Sequence, residues 1–489
     1  MSTSNPNEPH QRGSGSFLRL RNFLALISRS RIAIAGAVIV TTAVLTDLIV
    51  IVSELFFFES NPYIGIVVWV LLPMLGMFGL VLIPAGLWWR ARSKGVKGLG
   101  GLASLVKVVN RRHFFQMILG LSFLNVIIFG TAGYQALHYM ESSQFCGSVC
   151  HTVMEPEFKV YKRSPHSEVG CVDCHIGSGV DHLIKSKLDG TRQLWAVITG
   201  NYNRPIQTPI HNLRPAREVC GTCHFPESFH GNTIRVIEQF APDQDNTRTV
   251  TILNMRVGGG TGPNKKASGI HWHVDKGSAI RYYASDSQRE TILRVEHHRE
   301  DGSVRVWSHD EIPMPENPDP DAFREMDCVD CHNRPTHIFL PPDKALDQWF
   351  SDGLLDQEIP WLRAIGEEVL DVKYSTTEVA MQGIEALPAL YRERYPEFWD
   401  EFGVQVQESV PVLQEIYGLY VYPEMNLQWN TYNSLLGHPT EYTAACFRCH
   451  NGIMKDEEGI PITTECIACH YVLADKEKDP MILRILEDR

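Results

Sequence analysis

The twelve cysteines of this 489-residue chain form six pairs, and a histidine directly follows every pair. Five pairs have the spacing C-x-x-C-H, and the first, CGSVCH, has one additional residue between its cysteines. The six motifs are Cys146/Cys150/His151, Cys171/Cys174/His175, Cys220/Cys223/His224, Cys328/Cys331/His332, Cys446/Cys449/His450 and Cys466/Cys469/His470. Two thiols about one helical turn apart can form thioethers to the vinyl groups of a porphyrin, and the next histidine can bind its iron. The motifs therefore predict six covalent c-type haems.

Zinc sites and disulfide frameworks also use paired cysteines, but neither requires a histidine after every pair. The chain has 20 histidines among 489 residues. Six histidines at six given positions would therefore arise by chance with a probability of about 4 × 10⁻⁹. Coincidence does not explain the pattern.

Each haem iron has a sixth position, which takes a second protein ligand or stays open for a substrate. The candidates nearest to the motifs are one methionine and six histidines: Met154, His166, His230, His271, His273, His337 and His438. Each histidine could equally be a surface or hydrogen-bonded residue, and Met154 could equally be a core residue. The two histidines of the GIHWH segment would share one face of a strand, so we expect one ligand and one neighbour there.

Three long apolar stretches precede residue 141, and each is long enough to cross a hydrocarbon core of about 30 Å as a helix. They cover residues 32–54, 63–89 and 114–140. Basic residues concentrate in the lead, 1–31, and in the loop 90–113, whereas the turn between the first two stretches has none. The positive-inside rule then places the N-terminus in the cytoplasm and residues after 140 in the periplasm. We expect an uncleaved three-pass anchor in a bacterial inner membrane.

Asp47 lies inside the first apolar stretch. An intramembrane carboxylate is a candidate for function, but a hydrogen bond between helices explains it equally well. His113 and His138 lie at opposite ends of the third stretch. A haem b within the membrane is therefore not expected.

Charge is unevenly distributed between the anchor and the rest of the chain. Residues 1–140 carry 12 basic and 4 acidic side chains, whereas residues 141–489 carry 33 and 53, a formal charge of −20. This balance makes nucleic acid an unsuitable partner. An acidic surface instead favours a periplasmic cytochrome or reductase with a basic face.

The region after residue 140 divides by sequence pattern into three parts. We expect a domain with haems 1–3 at 141–232, a β-rich insert at 233–327, and a domain with haems 4–6 at 328–489 that includes a helical segment, 343–417. Period-2 alternation predicts five antiparallel strands, at 233–240, 249–257, 280–284, 291–297 and 304–307, with a hairpin turn at 300–302. The predicted fold class is a multihaem c-type cytochrome: a three-helix transmembrane anchor and a mostly irregular and α-helical periplasmic haem domain with a small antiparallel β insert.

Two groups of segments resemble a known family. The apolar stretch leading into the first motif, the nearby Met154 and the segment YKRSPHSEVGCVDCHIG resemble the NapC/NirT (NrfH-like) membrane-anchored quinol dehydrogenases over about residues 114–230. GIHWH, MDCVDCHNRPTH and the last two motifs resemble the larger inner-membrane ImcH-like type. The resemblance implies that menaquinol or ubiquinol reduces the first haem and that electrons pass along the haems to a periplasmic partner.

The resemblance also implies a quinol pocket. In short members, a lysine about twelve residues after the second haem-binding histidine belongs to that pocket, and Lys187 matches it. Those members have an acid about seven residues later, where this chain has Gln193 and Leu194, with Asp189 nearer. Lys187, Asp189 and Gln193 are thus the implied quinol-site residues. Their segment, HLIKSKLDGTRQLW, has the pattern of an amphipathic stretch on a membrane surface, where a lysine could also simply extend to lipid head groups.

The function that these patterns favour is a quinol:cytochrome c-type oxidoreductase, a membrane-bound quinol dehydrogenase that also transfers electrons. A terminal reductase, for example of nitrite, would need a haem with an open or lysine-ligated position, and no C-x-x-C-K motif occurs. A passive electron-transfer subunit of a larger respiratory complex is a further alternative. A haem-based sensor is disfavoured because the lead and the basic loop are too short for an output domain.

Overall fold

The computed structural model describes residues 27, 30–56, 71–93, 131, 134–135, 138–148, 151–176, 180–210, 214–225, 231–258, 268–275, 278–438 and 444–487. The chain forms two compact units, Met1–Val149 and Cys150–Arg489. The boundary between them falls inside the first cysteine motif.

The described residues of the first unit include two long apolar helices and one short helix. They are α1 (Arg31–Phe56), α2 (Leu72–Ser93) and α3 (Ser143–Ser148). α1 and α2 contain apolar windows of 18 and 19 residues, of which only 17% and 22% are buried, so both are candidate membrane spans. The described residues thus contain two such helices rather than three. Most of the third expected span, 114–140, lies outside the described residues.

α1 and α2 pack closely through glycines. A Cβ atom on Gly36 would lie 2.6 Å from the carbonyl oxygen of Gly79, and one on Gly86 would lie 2.5 Å from the backbone nitrogen of Ala33. The hydroxyl of Ser30 also donates a hydrogen bond to the carbonyl of Gly86 at 3.0 Å. Small residues at a helix interface permit this approach, which is typical of helix packing in membranes.

The second unit begins with four helices around the second and third motifs. They are α4 (His151–Lys162), α5 (Cys171–His175), α6 (Val180–Thr199) and α7 (Ala216–Cys220). Motif two forms the whole of α5, and α7 ends on the first cysteine of motif three. The attachment residues therefore sit on single helical turns.

Two antiparallel sheets follow. The strands are β1 (Thr233–Phe240), β2 (Arg248–Met255), β3 (Ser278–Ala284), β4 (Ile292–Arg299), β5 (Val304–His309), β6 (Arg324–Glu325), β7 (Met454–Lys455) and β8 (His470–Glu477). One sheet has the order β1-β2-β8, and the other has the order β6-β3-β4-β5-β7. β1 to β5 occur where period-2 alternation predicts strands. The predicted turn at 300–302 joins β4 to β5, with the amide of Gly302 donating to the carbonyl of Arg299 at 3.0 Å.

The β-rich insert, expected at 233–327, does not stand alone. β8 pairs with β2 from Val250↔Glu477 to Met255↔His470, and β7 pairs with β5. Both partner strands come from the C-terminal region, next to motifs five and six. The sheets therefore join the insert to the last motifs, and the whole of Cys150–Arg489 is one mixed helix and sheet unit rather than a mostly irregular and α-helical one.

A helical layer separates motif four from motif five, in the expected segment 343–417. Its helices are α8 (Pro342–Ser351), α9 (Leu362–Leu370), α10 (Thr377–Glu385), α11 (Leu387–Arg394) and α12 (Pro396–Tyr420). Trp349, Tyr391 and Tyr417 are fully buried in its apolar cluster. This layer has a side-chain core of its own, independent of any porphyrin. A last helix, α13 (Met481–Glu487), packs against the sheet of β1, β2 and β8.

Asn246 ties the turn between β1 and β2 to this helical layer. Its side chain is fully buried, and its amide donates to the carbonyls of Gln357 at 2.9 Å and Ile359 at 2.7 Å. Its Oδ1 accepts a hydrogen bond from the backbone nitrogen of Arg363 at 2.8 Å. The φ angle of Asn246 is 43°, a left-handed conformation that asparagine tolerates better than most residues.

The first prediction concerns this junction. Asn246→Ala should lower the free energy of unfolding by about 2–4 kcal/mol, because it leaves two carbonyls and one amide buried without partners. Pulse proteolysis across a urea series measures the change. Asn317→Ala, at an exposed asparagine, should change it by less than about 0.5 kcal/mol. Equal stability of the two variants would show that Asn246 does not hold the junction.

Candidate functional site

Three of the cysteine motifs form the same type of backbone turn. The amides of His224, His332 and His450 each donate to the carbonyl of the first cysteine of their motif, at 2.7, 2.8 and 3.1 Å. This hydrogen bond closes one helical turn around the two thiols. The turn brings both thiols and the histidine to one side, which is the arrangement that attachment of a porphyrin requires.

Motifs two, three and four lie next to one another. Burial raises the pKa of the Cys174 thiol, and the neighbouring Cys220 raises it further. The thiols of Cys220 and Cys328 hydrogen-bond, and this contact lowers the pKa of the Cys220 thiol to about 7. The backbone of Ala216, at the start of α7, also donates to the Oδ2 of Asp327 at 3.0 Å. Attachment sites two to four therefore form a continuous series.

Motifs four, five and six continue the same series. Burial and, to a smaller extent, the neighbouring Cys446 together raise the pKa of the Cys331 thiol to about 11. Burial, and then Cys469, likewise raise the pKa of the Cys446 thiol. Motifs two to six therefore follow one another in space in the same order as in the sequence.

The two cysteines of motif three differ, although the sequence predicts an equivalent pair. Cys220 is half-buried, whereas Cys223 is exposed, as is Cys466 of motif six. Cys220 ends α7 at the contact with motif four, but Cys223 lies one turn beyond that contact, where its Sγ accepts a hydrogen bond from the hydroxyl of Thr222 at 3.7 Å. The chain therefore encloses one thiol of this motif and leaves the other open to solvent. Attachment of haem through Cys223 stays a prediction.

An arginine inside motif five fixes it to motif four. The guanidinium of Arg448 donates to the carbonyl of Asp330 at 2.7 Å and to the carbonyl of Arg289 at 2.6 Å. The Asp330 carboxylate is 1% exposed, and it accepts hydrogen bonds from the Tyr282 hydroxyl at 2.7 Å, Arg289 at 3.0 Å and Arg324 at 2.9 Å. Arg448 thus bonds motif five to the backbone of motif four, and the guanidinium groups of Arg289 and Arg324 hold the buried Asp330 carboxylate in place.

Four of the distal candidates face a motif histidine. The pairs and the distances between their ring centres are His166 and His224, 5.9 Å; His337 and His175, 6.3 Å; His273 and His450, 5.8 Å; and His438 and His470, 6.2 Å. Metal–nitrogen bonds of about 2 Å, plus about 1 Å from each nitrogen to its ring centre, put two axial imidazoles roughly 6 Å apart. The residues present therefore fit a haem iron between each pair.

The GIHWH segment differs from its expected form. It is a short 3₁₀ helix, Ile270–Val274, and not a strand. Because a 3₁₀ helix turns about 120° per residue, His271 and His273 leave it in directions about 240° apart. His273 faces His450. Burial lowers the pKa of His332, and the nearby charge of His271 lowers it further. The expectation of one ligand and one neighbour on a shared strand face is therefore wrong in its geometry, since the two side chains approach different motifs.

The ring nitrogens of several histidines have defined partners. Nδ1 of His337 lies 2.9 Å from the carbonyl oxygen of Glu157, and Nδ1 of His166 lies 3.1 Å from that of Pro335. Nδ1 of His273 lies 2.8 Å from the carbonyl oxygen of Ile270, and Nδ1 of His450 lies 2.7 Å from that of Thr463. A carbonyl accepts only from a protonated Nδ1, which leaves Nε2 free of a proton and able to bind iron. Burial also lowers the pKa of His175, His273 and His337, which favours the neutral ligand form.

A buried ion pair that sequence analysis missed supports His337. Glu157 Oε2 lies 3.2 Å from Nδ1 of His337 and 3.7 Å from the guanidinium of Arg334. Burial raises the pKa of the Glu157 carboxyl, and the Arg334 charge opposes that shift. Glu157 follows motif one and Arg334 follows motif four, so no local pattern indicates that they meet. In contrast, Asp330 and Arg448 were visible as charged residues inside C-V-D-C-H and C-F-R-C-H.

The first motif is only partly described. Cys146 lies in α3, and Met154 is partly buried on α4. Cys150, the side chain of His151 and all of His230 lie outside the described residues. The sixth ligand of this motif therefore stays a prediction.

The three implied quinol-site residues all lie on α6, but not on one face. An α-helix turns about 100° per residue, so Lys187 and Asp189 are separated by about 160° around the axis. Asp189 and Gln193 are about 40° apart and share a face. Lys187 instead shares its face with Leu194 and Ile198. The side chain of Lys187 lies outside the described residues, so Lys187, Asp189 and Gln193 as quinol-site residues stay a prediction.

Asp47, the carboxylate within the first apolar stretch, lies on α1. Its Oδ1 is buried and has no hydrogen-bond partner in the described part of the chain.

The described residues contain no site for a metal ion held by protein ligands alone, because no three of their His, Cys, Asp or Glu side chains converge on one point. The paired imidazoles instead suit an ion whose remaining ligands come from a porphyrin.

Comparison with known proteins identifies the family. The model of the NapC/NirT cytochrome c family, N-terminal region, matches residues 109–211. Cytochrome c-type protein ImcH of Geobacter sulfurreducens is 36% identical over 423 residues, which are 85% of this chain and 82% of that protein. The chain is an ImcH-like member of the NapC/NirT cytochrome c family. Denitrification system component NirT of Stutzerimonas stutzeri is 25% identical over 146 residues, 26% of this chain and 72% of NirT. No solved structure matches the chain.

Membership has direct consequences. This NapC/NirT-family protein is a membrane-anchored cytochrome c that carries covalently bound haem and acts in electron transfer. When bound, haem supplies a metal that accepts and releases single electrons without large rearrangement. The paired thiols of the motifs are the residues that would attach the haem, and the facing imidazoles are those that would hold its iron.

The second prediction tests one imidazole pair in this cytochrome. His337→Ala should leave the haem content unchanged, because Cys171, Cys174 and His175 remain, but should convert one haem to a five-coordinate, high-spin form. Absorption and electron paramagnetic resonance spectra measure that fraction. His309→Ala is the matched control, since Nδ1 of His309 accepts hydrogen bonds only from nearby backbone amides, those of Glu311 and Ile312. Entirely low-spin spectra for His337→Ala would contradict the pairing.

Proposed function

We propose that this cytochrome is a quinol dehydrogenase that carries electrons from the membrane quinol pool through six covalent haems to a periplasmic acceptor. The observation that carries the proposal is the succession of neighbouring thiols, Cys174 to Cys220, Cys220 to Cys328, Cys331 to Cys446 and Cys446 to Cys469. Such a series supports transfer between adjacent haems over five of the six sites, in the order of the sequence.

The first motif is the proposed point of reduction. His151 lies only eleven residues after the expected third span, 114–140, and a quinol stays dissolved in the membrane. In this proposal the three spans keep the N-terminus in the cytoplasm and the haem region in the periplasm, which the distribution of basic residues supports. Oxidation of menaquinol or ubiquinol releases two electrons and two protons, so the site must also take up or release protons.

The imidazole pairs define the proposed sixth ligands. We assign His337 to motif two, His166 to motif three, His271 to motif four, His273 to motif five and His438 to motif six. These assignments favour electron transfer over reduction of a substrate such as nitrite, because a haem with two imidazole ligands has no open position. Met154 and His230 remain the proposed candidates for motif one.

The acceptor is proposed to be a periplasmic cytochrome or reductase with a basic face. Residues 141–489 carry a formal charge of −20, and the propionates of six haems would add to it. Opposite charge increases the rate of encounter without requiring a large interface. The last two motifs, around His450 and His470, are the proposed points of transfer to that partner.

The third prediction tests quinol oxidation at α6. Lys187→Leu should reduce the rate of haem reduction by a quinol analogue at least tenfold, because a lysine there would hydrogen-bond the quinol oxygen and stabilise charge as the proton leaves. Reduction by dithionite and the spectra of all haems should not change. Stopped-flow absorbance in detergent or nanodiscs measures both.

Lys373→Leu is the control for this prediction. Lys373 is an exposed lysine between α9 and α10, outside helix α6. It should retain the normal rate with the quinol analogue. Normal quinol-driven reduction in Lys187→Leu would remove Lys187 from the quinol site, and equal loss in both variants would indicate a general charge effect.

A further inference from the structure

Helix α6 exposes a row of large apolar side chains. Leu188, Trp195 and Ile198 are 69%, 67% and 68% exposed, and Leu194 is 48% exposed. Single exposed apolar residues are ordinary on soluble proteins, but a continuous patch marks a surface that something else covers. These side chains lie along one helix, so the surface that covers them must pack against a long apolar stripe.

The four residues share one side of the helix. At about 100° per residue, they fall within an arc of roughly 120°. Val197, outside that arc, packs instead against the apolar cluster that includes Tyr422 and Met425. α6 therefore has an inner face that belongs to the fold and an outer apolar face that the described residues do not cover.

Basic residues border the apolar arc. Lys185 and Arg192 are exposed and lie about 40–60° beyond Leu188 around the axis. An apolar stripe beside basic side chains, with a tryptophan in the stripe, matches the boundary between anionic head groups and acyl chains. Because the chain is membrane-anchored, lipid is available to cover this stripe.

We infer that α6 is an interfacial membrane helix, with Leu188, Leu194, Trp195 and Ile198 inserted at the acyl boundary of an anionic lipid surface and Lys185 and Arg192 among the head groups. The inference rests on membrane anchoring of the family and not on quinol oxidation. It goes beyond attachment by spanning helices, because it adds a second, lateral contact made by the haem-bearing unit. It also brings the position of Lys187 to lipid depth.

Site-specific photocrosslinking tests this contact. The full-length holoprotein carries p-benzoylphenylalanine in place of Trp195, in nanodiscs of phosphatidylethanolamine and phosphatidylglycerol. After irradiation, peptide mass spectrometry measures lipid adducts. We expect adducts at position 195 comparable with those from Val38, an exposed residue of α1, and at least fivefold more than from Gln193, which is exposed about 200° away on α6.

Three results would overturn the inference. They are cross-links from position 195 to a second copy of the chain, cross-links to a haem peptide, and an absence of lipid adducts at 195 while Val38 gives them. Replacing phosphatidylglycerol with phosphatidylcholine should lower the yield at 195 but not at 38, and an unchanged yield would contradict the role of Lys185 and Arg192. Covalent haem content verifies that each variant folds. The yield does not depend on electron transfer, so it is independent of any quinol assay.

Discussion

Two facing imidazoles roughly 6 Å apart are the constraint on which the rest of the haem-bearing unit depends. In the four pairs that the structure describes, residues at least 32 positions apart in the sequence set that gap. His166 precedes motif two yet faces His224 of motif three, and His337 follows motif four yet faces His175 of motif two. With an iron bound between its imidazoles, each pair would link one motif to the segment of another, as a disulfide links two loops. This explains how short turns and irregular segments hold a stable unit around the motifs.

The regular elements hold these segments in place. The sheets connect the insert to the last motifs through β7 and β8, and the helical layer packs its own apolar core beside them. Polar contacts then fix the finer spacing. Arg448 bonds motif five to motif four, and the Glu157 and Arg334 pair lies against Nδ1 of His337. A change of one of these side chains would alter the separation or the field at a haem without removing its attachment.

The sequence predicted the features that depend on local pattern. The six motifs, strands β1 to β5 and the turn at Gly302 follow from spacing, alternation and turn chemistry, and the family follows from the same residues. The partners of those strands were not predictable, because the pairing of β2 with β8 joins residues more than 200 positions apart. The facing imidazoles were not predictable for the same reason, because a histidine near one motif lies across from the histidine of another. Motif spacing also could not distinguish the half-buried Cys220 from the exposed Cys223, because that difference depends on which thiol meets motif four.

The most direct test of the account is a cryo-electron microscopy map of the full-length holoprotein in nanodiscs, at a resolution that shows iron and its ligands. The account predicts six porphyrins in the order of the motifs, with irons between His175 and His337, His224 and His166, His332 and His271, His450 and His273, and His470 and His438. Adjacent porphyrins should approach at the thiols of Cys220 and Cys328. Irons bound by other side chains, or motifs two to six out of sequence order in space, would contradict it.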